Sequence, residues 1–180
     1  AILKSVLPCV DFFEPSFEEL CFMLDRERFD ALSALGGDMA QRLSIENDVI
    51  PLAQKCLSMG ARAVLIKCGV AGMYYMTADE NAMDKVGERL CLDASLWADK
   101  RGFVPCFKTD TVLSATGAGD ASIAAFLPAV MLGKDPEKCA ELAAAEGACA
   151  VTAYDALSGL KTIEELEAMI ASGRERNNAC

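Results

Sequence analysis

A glycine-rich turn, Thr116-Gly117-Ala118-Gly119-Asp120, leads directly into an apolar run over residues 121–127. Two glycines in five residues allow the backbone to turn sharply and to approach a ligand closely. The apolar run predicts a buried helix, whose first N–H groups have no partner within the helix and lie at the positive end of its dipole. The sequence therefore predicts an anion site at this helix start, with phosphate as the anion.

Asp120 stands inside the same turn. A carboxylate beside an anion site is costly unless it has a task, such as accepting the proton of a substrate hydroxyl. Phosphoryl transfer is therefore the leading hypothesis. The same residues also allow a purely structural role, because Asp is a common helix N-cap. A Walker loop is excluded, since Gly-x4-Gly-Lys-Ser/Thr occurs nowhere in the chain.

Four blocks of the chain resemble, in order, the ribokinase-like (PfkB-type) carbohydrate kinase family. Residues 116–120 match the second half of that family's Asp-Thr-Thr-Gly-Ala-Gly-Asp signature. Residues 10–20 resemble its strand followed by Pro-Asn-x-x-Glu, and residues 63–72 its strand followed by Thr-x-Gly-x-x-Gly. The Ala-rich residues 140–152 resemble the segment that lines the adenine pocket of the family.

This resemblance implies an α/β fold, namely a three-layer αβα ribokinase-like sheet that is mostly parallel. The sheet is expected to be incomplete, because nothing in the chain corresponds to the N-terminal half of such kinases. Residues 1–180 would then be the C-terminal, nucleotide-binding and catalytic-base portion of a single kinase domain. The alternation of strands and helices along the chain separately favours a sheet with helices on both faces.

The resemblance also implies the roles of the turn. Asp120 would be the general base that takes the proton from a sugar hydroxyl. The backbone N–H groups of Gly117, Ala118 and Gly119 would stabilise charge on the transferred phosphoryl group. ATP and Mg²⁺ are the implied cofactors, with the metal held mainly through the phosphates and water.

Two other blocks supply the expected nucleotide contacts. Lys67, Gly69 and Gly72 match the phosphate-side loop of the family, and Ala144 and Gly147 lie on the helix that walls its adenine site. The alternatives stay open at this point. Lys67 could be a solvated strand end, and the two helix residues could serve only close helix packing.

Glu19 matches the Glu of the family's Pro-Asn-x-x-Glu motif, which assists the metal. It could equally be the capping-box partner of Ser16. The chain departs from the family at Ser16, where the motif has Asn, and at Ser114, where many relatives have an Asp of a monovalent-cation site. Potassium activation is therefore not expected. Asp155 stands near the point where a Gly is usual.

Composition excludes several classes of protein. The net charge of −10, from 17 basic and 27 acidic residues, argues against a nucleic-acid partner. The chain has no histidine, which excludes His-based triads and imidazole zinc sites. No apolar stretch reaches the roughly 18 residues of a membrane span, so no membrane partner is expected. Nine cysteines without a Cys-x-x-Cys pair indicate reduced thiols in a cytoplasmic protein.

Local patterns predict several elements that a structure can test. Capping boxes are expected at Ser16 and Thr162. An edge strand is expected over residues 103–107, since Pro105 is poorly tolerated inside a sheet. We also expect a strand at residues 151–152, after the Ala-rich helix, and a frayed polar tail from Gly173 onwards.

The function that fits these observations is an ATP-dependent phosphotransferase acting on a sugar or sugar-like alcohol. Its partner would be a small-molecule sugar, and a homodimer stays open. The alternative is a catalytically silent nucleotide-binding relative, which Ser16 and Ser114 favour slightly. A dinucleotide-dependent oxidoreductase is disfavoured, because no Gly-x-Gly-x-x-Gly stands at a helix start. Which sugar or nucleoside is used does not follow from the sequence.

Overall fold

The structure, a computed structural model, describes residues 2–177. Within this range one four-stranded sheet lies among nine α-helices. The strands are β1 (Phe12–Phe13), β2 (Ala63–Lys67), β3 (Gly72–Thr77) and β4 (Arg101–Pro105). The helices are α1 (Ile2–Val6), α2 (Phe17–Leu24), α3 (Arg26–Ala34), α4 (Ile50–Ser58), α5 (Glu80–Leu90), α6 (Ala94–Trp97), α7 (Ala118–Met131), α8 (Pro136–Ala150) and α9 (Ile163–Ala171). None of these helices is both long enough and apolar enough to cross a bilayer.

The sheet has the order β1-β2-β3-β4 and is mixed. Strand β1 pairs parallel to β2, whereas β2–β3 and β3–β4 are antiparallel. The α/β class is confirmed, but the expectation of mostly parallel pairing does not hold for these four strands. The reason is the short connection over residues 68–71, because a parallel crossover needs a dozen or more residues.

Helices cover both faces of the sheet, as a three-layer αβα fold requires. Successive side chains of β2 point to opposite faces. Ala63 and Leu65 pack into a core with α7 and α8, while Val64 and Ile66 pack into a second core with α2 and α4. Burial on both faces explains why this strand is apolar at every position before Lys67.

The Ala-rich helix α8 is the most buried element of the fold. Eleven of its fifteen residues are buried, most of them alanine. These small side chains allow α7 to lie close against α8. At the contact, a Cβ atom on Gly147 would stand only 2.6 Å from Ser122 Oγ. The packing therefore fixes the position of α7, and with it the turn that precedes α7.

Both predicted capping boxes are confirmed. The Ser16 N–H donates to Glu19 Oε2 at 2.8 Å, and the Glu19 N–H donates to Ser16 Oγ at 3.2 Å. Thr162 and Glu165 make the same reciprocal pair at 2.8 and 3.2 Å. Each box satisfies two backbone groups at its helix boundary, which is why these helix starts could be located from sequence.

Two local expectations are wrong. Residues 151–152 form a turn and not a strand, since the Thr152 N–H and hydroxyl both bond to the Cys149 carbonyl. The tail after Gly173 is docked and not frayed as far as Asn177, because Arg176 pairs with Phe107 and with Glu141. Residues 178–180 lie outside the described range. The edge strand that contains Pro105 is confirmed as β4.

The buried cysteines act as apolar core residues. Cys21, Cys56, Cys139 and Cys149 lie in the two cores, and none of these four is part of a disulfide. Burial raises the pKa of Cys21 and of Cys56 to about 11 and that of Cys139 to about 12. These thiols are therefore protonated at neutral pH and poorly nucleophilic.

Candidate active site

One cavity of about 510 Å³ gathers every residue that the sequence assigned to a site. It lies between the start of α7, one face of α8 and the turn that joins β2 to β3. The assigned residues that line it are Asp120, Gly117, Ala118, Gly119, Lys67, Gly69, Gly72, Ala144, Gly147 and Glu19. Residues that are up to 128 positions apart in the sequence therefore share one concave surface, as a binding site requires.

The start of α7 presents unpaired backbone donors. Gly117 precedes the helix in a left-handed conformation, with φ of 81°, and no side chain caps the helix. Among residues 2–177, no acceptor bonds to the N–H of Gly117, Gly119 or Asp120. The Ala118 N–H, in contrast, donates to the Ala115 carbonyl at 3.3 Å. The expectation that the Ala118 N–H is free to bind an anion is therefore wrong. The N–H of Asp120, which was not expected, is free instead.

Asp120 does not cap the helix. It is the third residue of α7, its side chain is exposed, and it lines the cavity. Elsewhere in the fold, Asp79, Asp135 and Thr162 accept a backbone N–H at the starts of α5, α8 and α9. The interpretation of Asp120 as an N-cap is therefore wrong, and the residue lines the cavity beside the free amides.

Lys67 places a cation next to the same amides. It ends β2, whose backbone continues to pair with Ser16, so the strand end lies beside the start of α2. A Cβ atom on Gly119 would be 3.4 Å from Lys67 Nζ. Lys67 makes no ion pair within the described part of the chain. The Lys67 ammonium and the free N–H groups together favour a polyanionic ligand.

The helix side of the cavity is small and apolar. Ala144 is 1% exposed and Gly147 packs against Ser122, so the close-packing role of these residues is confirmed. Both also line the cavity, and a contact with a nucleotide base stays a prediction for them.

Glu19 keeps its negative charge. The hydrogen bonds from Ser16 hold the pKa of the Glu19 carboxyl below its usual range. Its capping-box role is confirmed, and its metal role stays a prediction. No group of three or more Cys, Asp or Glu side chains within residues 2–177 could hold a metal ion. A Mg²⁺ ion here would take few protein ligands, with Glu19 among the candidates, and would depend mainly on phosphate oxygens and water.

A loop over residues 151–161 supports the anion turn from behind. The Leu113 N–H donates to the Val151 carbonyl at 2.8 Å, which ties the loop to the segment before the turn. Ala156 lies so close to Gly117 that a Cβ atom there would be 2.5 Å from the Ala156 methyl group. Both the positive φ and this contact require glycine at position 117.

Glu14 is a residue of the site region that sequence reasoning did not single out. It follows β1 directly and lines an open groove of about 930 Å³, which shares Glu19 with the cavity. Its Oε2 atom is buried without a hydrogen-bond partner. Burial raises the pKa of Glu14 to about 7, and the charge of Lys67 opposes this rise. The only signal in the sequence is an acidic residue directly after a buried strand.

Comparison with known proteins identifies the family. Residues 2–163 match the model of the pfkB family carbohydrate kinases, and the chain belongs to that family. The chain is also similar to a nucleoside kinase of Methanocaldococcus jannaschii, with 40% identity over 73 residues, which cover 38% of this chain and 24% of that protein.

Solved structures of ribokinases have the same fold. A ribokinase of Arabidopsis thaliana complexed with ribose and ATP superposes with a TM-score of 0.65 at 21% identity, over 93% of this chain and 43% of that one. A protein described as ribokinase II from E. coli, in complex with ATP and Mg²⁺, gives 0.62 at 22% identity, over 94% and 42%. The chain thus spans less than half of the length of these relatives.

Replacing Gly117 by Ala should destabilise the fold more than the same change at Gly36. Both residues have positive φ, but a Cβ atom at Gly36 would have nothing within 4 Å. Gly36→Ala should cost about 1–2 kcal/mol from backbone conformation alone. Gly117→Ala should cost about 1–3 kcal/mol more, because the new methyl group meets Ala156. Urea unfolding of both variants measures the difference, and equal losses would contradict the described contact.

Replacing Glu14 by Gln should raise the stability of the protein more at high pH than at low pH. A raised pKa means that folding favours the protonated acid, so the wild-type chain loses stability as pH rises through about 7. The amide cannot ionise and escapes this loss. Thermal unfolding at pH 5.5 and 8.5 tests it, with Glu18→Gln as a control for removing a nearby charge. A Glu14→Gln effect that is the same at both pH values would count against a buried carboxyl.

Proposed function

We propose that the chain is the C-terminal portion of a kinase domain that transfers a phosphoryl group from ATP to a hydroxyl group of a sugar or nucleoside. The observation that carries the proposal is the cavity in which free N–H groups at the start of α7, the Lys67 ammonium and the Asp120 carboxylate converge. Membership of the pfkB family supports the same reaction class.

In this proposal the positive groups bind the phosphates and the negative group accepts a proton. The N–H groups of Gly119 and Asp120, with Lys67 beside them, bind and stabilise the negative charge of the terminal phosphates. Asp120 accepts the proton of the substrate hydroxyl as that oxygen bonds to the γ-phosphorus and the bond to the β-phosphate oxygen breaks. The apolar wall formed by Ala144 and Gly147 holds the base of the nucleotide.

Magnesium fits this arrangement in a limited way. Its chemistry would be to neutralise charge on the ATP phosphates and to align them for transfer. Glu19, which lines the cavity and whose pKa is held below its usual range, is a side chain that could bind it. The crystal structure of the E. coli relative contains both ATP and Mg²⁺, which supports the proposal that this chain uses the two together.

The acceptor is proposed only as a class, an alcohol of a sugar or nucleoside. The names of the relatives support both members of this class, since one is a nucleoside kinase and another was complexed with ribose. We further propose a cytoplasmic location, which is supported by the buried protonated thiols in the two cores.

A second candidate function is nucleotide binding without catalysis. Ser16 and Ser114 stand where the family motifs have Asn and Asp. In the structure Ser16 caps α2 and the Ser114 hydroxyl accepts the Thr116 N–H at 3.2 Å, so both have local structural roles. The retained Asp120 favours the kinase over this candidate.

Replacing Asp120 by Asn should lower the rate of phosphoryl transfer by at least about a hundredfold. ADP binding should be retained, because only the proton acceptor is lost. The full-length protein is assayed for ATP-dependent phosphorylation of a panel of sugars and nucleosides. Asp110→Asn, the same change at an exposed position outside the cavity, is the matched control.

The outcomes separate the two candidate functions. Turnover lost in Asp120→Asn and kept in Asp110→Asn supports the kinase with Asp120 as base. Undiminished turnover in Asp120→Asn removes Asp120 from the mechanism. A wild-type protein that binds ADP but phosphorylates no member of the panel is the silent relative.

A further inference from the structure

The segment that follows α9 folds back onto the nucleotide cavity. Residues 174–176 run beside residues 107–108, with an antiparallel bridge between Phe107 and Arg176. The Lys108 N–H donates to the Glu175 carbonyl at 2.9 Å, and Arg174 Nε donates to the Lys108 carbonyl at 3.1 Å. The next residue, Asn177, lines the cavity.

Asn177 joins two parts of the cavity wall. Its N–H donates to the Cys106 carbonyl at 2.8 Å, just after β4. Its side-chain Nδ2 donates to the Val70 carbonyl at 2.8 Å, in the turn between β2 and β3. Cys106 and Val70 both line the cavity. Asn177 therefore bonds to two segments that the hydrogen bond from the Cys106 N–H to the Ala71 carbonyl, at 3.2 Å, also joins.

Arg176 anchors the segment through three kinds of contact. Its Nη2 atom pairs with Glu141 Oε1 at 2.6 Å, and its Nη1 atom donates to the Pro105 carbonyl at 3.0 Å. Its guanidinium carbon lies 4.0 Å from the centroid of the Phe107 ring. Glu141 is one helical turn before Ala144 on α8, so this anchor ties the segment to the helix that carries the apolar wall. A planar, forked cation makes all three contacts at once, whereas a lysine could keep only the ion pair with Glu141.

We propose that residues 174–177 form the wall of the cavity at the end that receives the nucleotide base, with Arg176 as the positioning residue and Asn177 as the residue that meets the base. The inference rests on the proposed nucleotide binding. Gly119 and Lys67 mark the phosphate end, whereas Arg176 ties the segment to Glu141 on α8 and to Phe107. Phe107 lines the cavity, as do Ala144 and Gly147 of the apolar wall. Loss of the segment should consequently weaken contacts with the base and leave contacts with the phosphates intact.

The test compares ADP with tripolyphosphate, which has the phosphate charge but no base, both in the presence of Mg²⁺. Calorimetric affinities are measured for wild type, Arg176→Ala, Arg176→Lys and Asn177→Ala in the full chain. We expect Arg176→Ala and Asn177→Ala to weaken ADP about three- to tenfold, the equivalent of one net hydrogen bond. Tripolyphosphate binding should change less than about twofold, and Arg176→Lys should restore part of the ADP affinity.

Arg26→Ala is the matched control. Arg26 also pairs with a carboxylate, Asp30, and also lies over an aromatic ring, that of Phe22 at 4.5 Å. It does not line the cavity. This variant should bind both ligands as the wild type does. If Arg176→Ala fails to fold by circular dichroism, Asn177→Ala, which removes no ion pair, provides the test.

Three outcomes would overturn the inference. Unchanged ADP affinity in both variants shows that the segment is not part of the site. Equal losses for ADP and tripolyphosphate show a general effect on the cavity and not a wall at the base end. A wild-type chain that binds no ADP overturns the proposed function together with this inference, whereas the first two outcomes leave the proposed function standing.

Discussion

The close packing of α7 on α8 is the contact on which the site depends. Ser122 and Gly147 meet so closely that a Cβ atom at position 147 would force Ser122 to shift. This contact fixes the first turn of α7, where the N–H groups of Gly119 and Asp120 have no acceptor within the described residues. Other helices of this fold satisfy such donors with side-chain caps. At the start of α7 the donors face the cavity and are left to water or to a ligand anion.

The charges around the cavity are mixed. The chain has a net charge of −10, and Glu19, Asp38 and Asp120 line the cavity, but the Lys67 ammonium and the free amides lie together beside Gly119. Glu14 and Glu19, two acids of the site region, differ in protonation. Hydrogen bonds from Ser16 keep Glu19 ionised, whereas burial raises the pKa of Glu14 to about 7. Glu19 is therefore available to a metal ion, whereas Glu14 is only partly ionised at neutral pH.

Features that depend on neighbouring residues were predictable from sequence. The capping boxes at Ser16 and Thr162, the glycine turn before α7 and the apolar strand β2 all carry their own chemical signal. The four-residue connection from β2 to β3 also indicates how these strands pair, because it is too short for a parallel crossover. The family resemblance nevertheless favoured a mostly parallel sheet.

Features that depend on distant contacts were not predictable. Nothing local shows that Arg176 finds Glu141 and Phe107, so a polar tail was expected to fray. Val151 and Thr152 are β-branched, which is typical of a strand. In the structure, however, Thr152 bonds to the Cys149 carbonyl and the segment forms a turn. The assignment of Ala118 as an anion donor failed for a similar reason, because only the fold shows that its N–H is already bonded to Ala115.

The central claim is that the free amides at the start of α7 bind the phosphates of a nucleotide. The most direct measurement is a titration of the ¹⁵N-labelled chain with ADP and Mg²⁺, followed by amide NMR. We predict that the amide protons of Gly119 and Asp120 move downfield more than those of any other residue, because each gains a charged acceptor. If ADP binds and these two resonances stay in place, the account of the site is wrong.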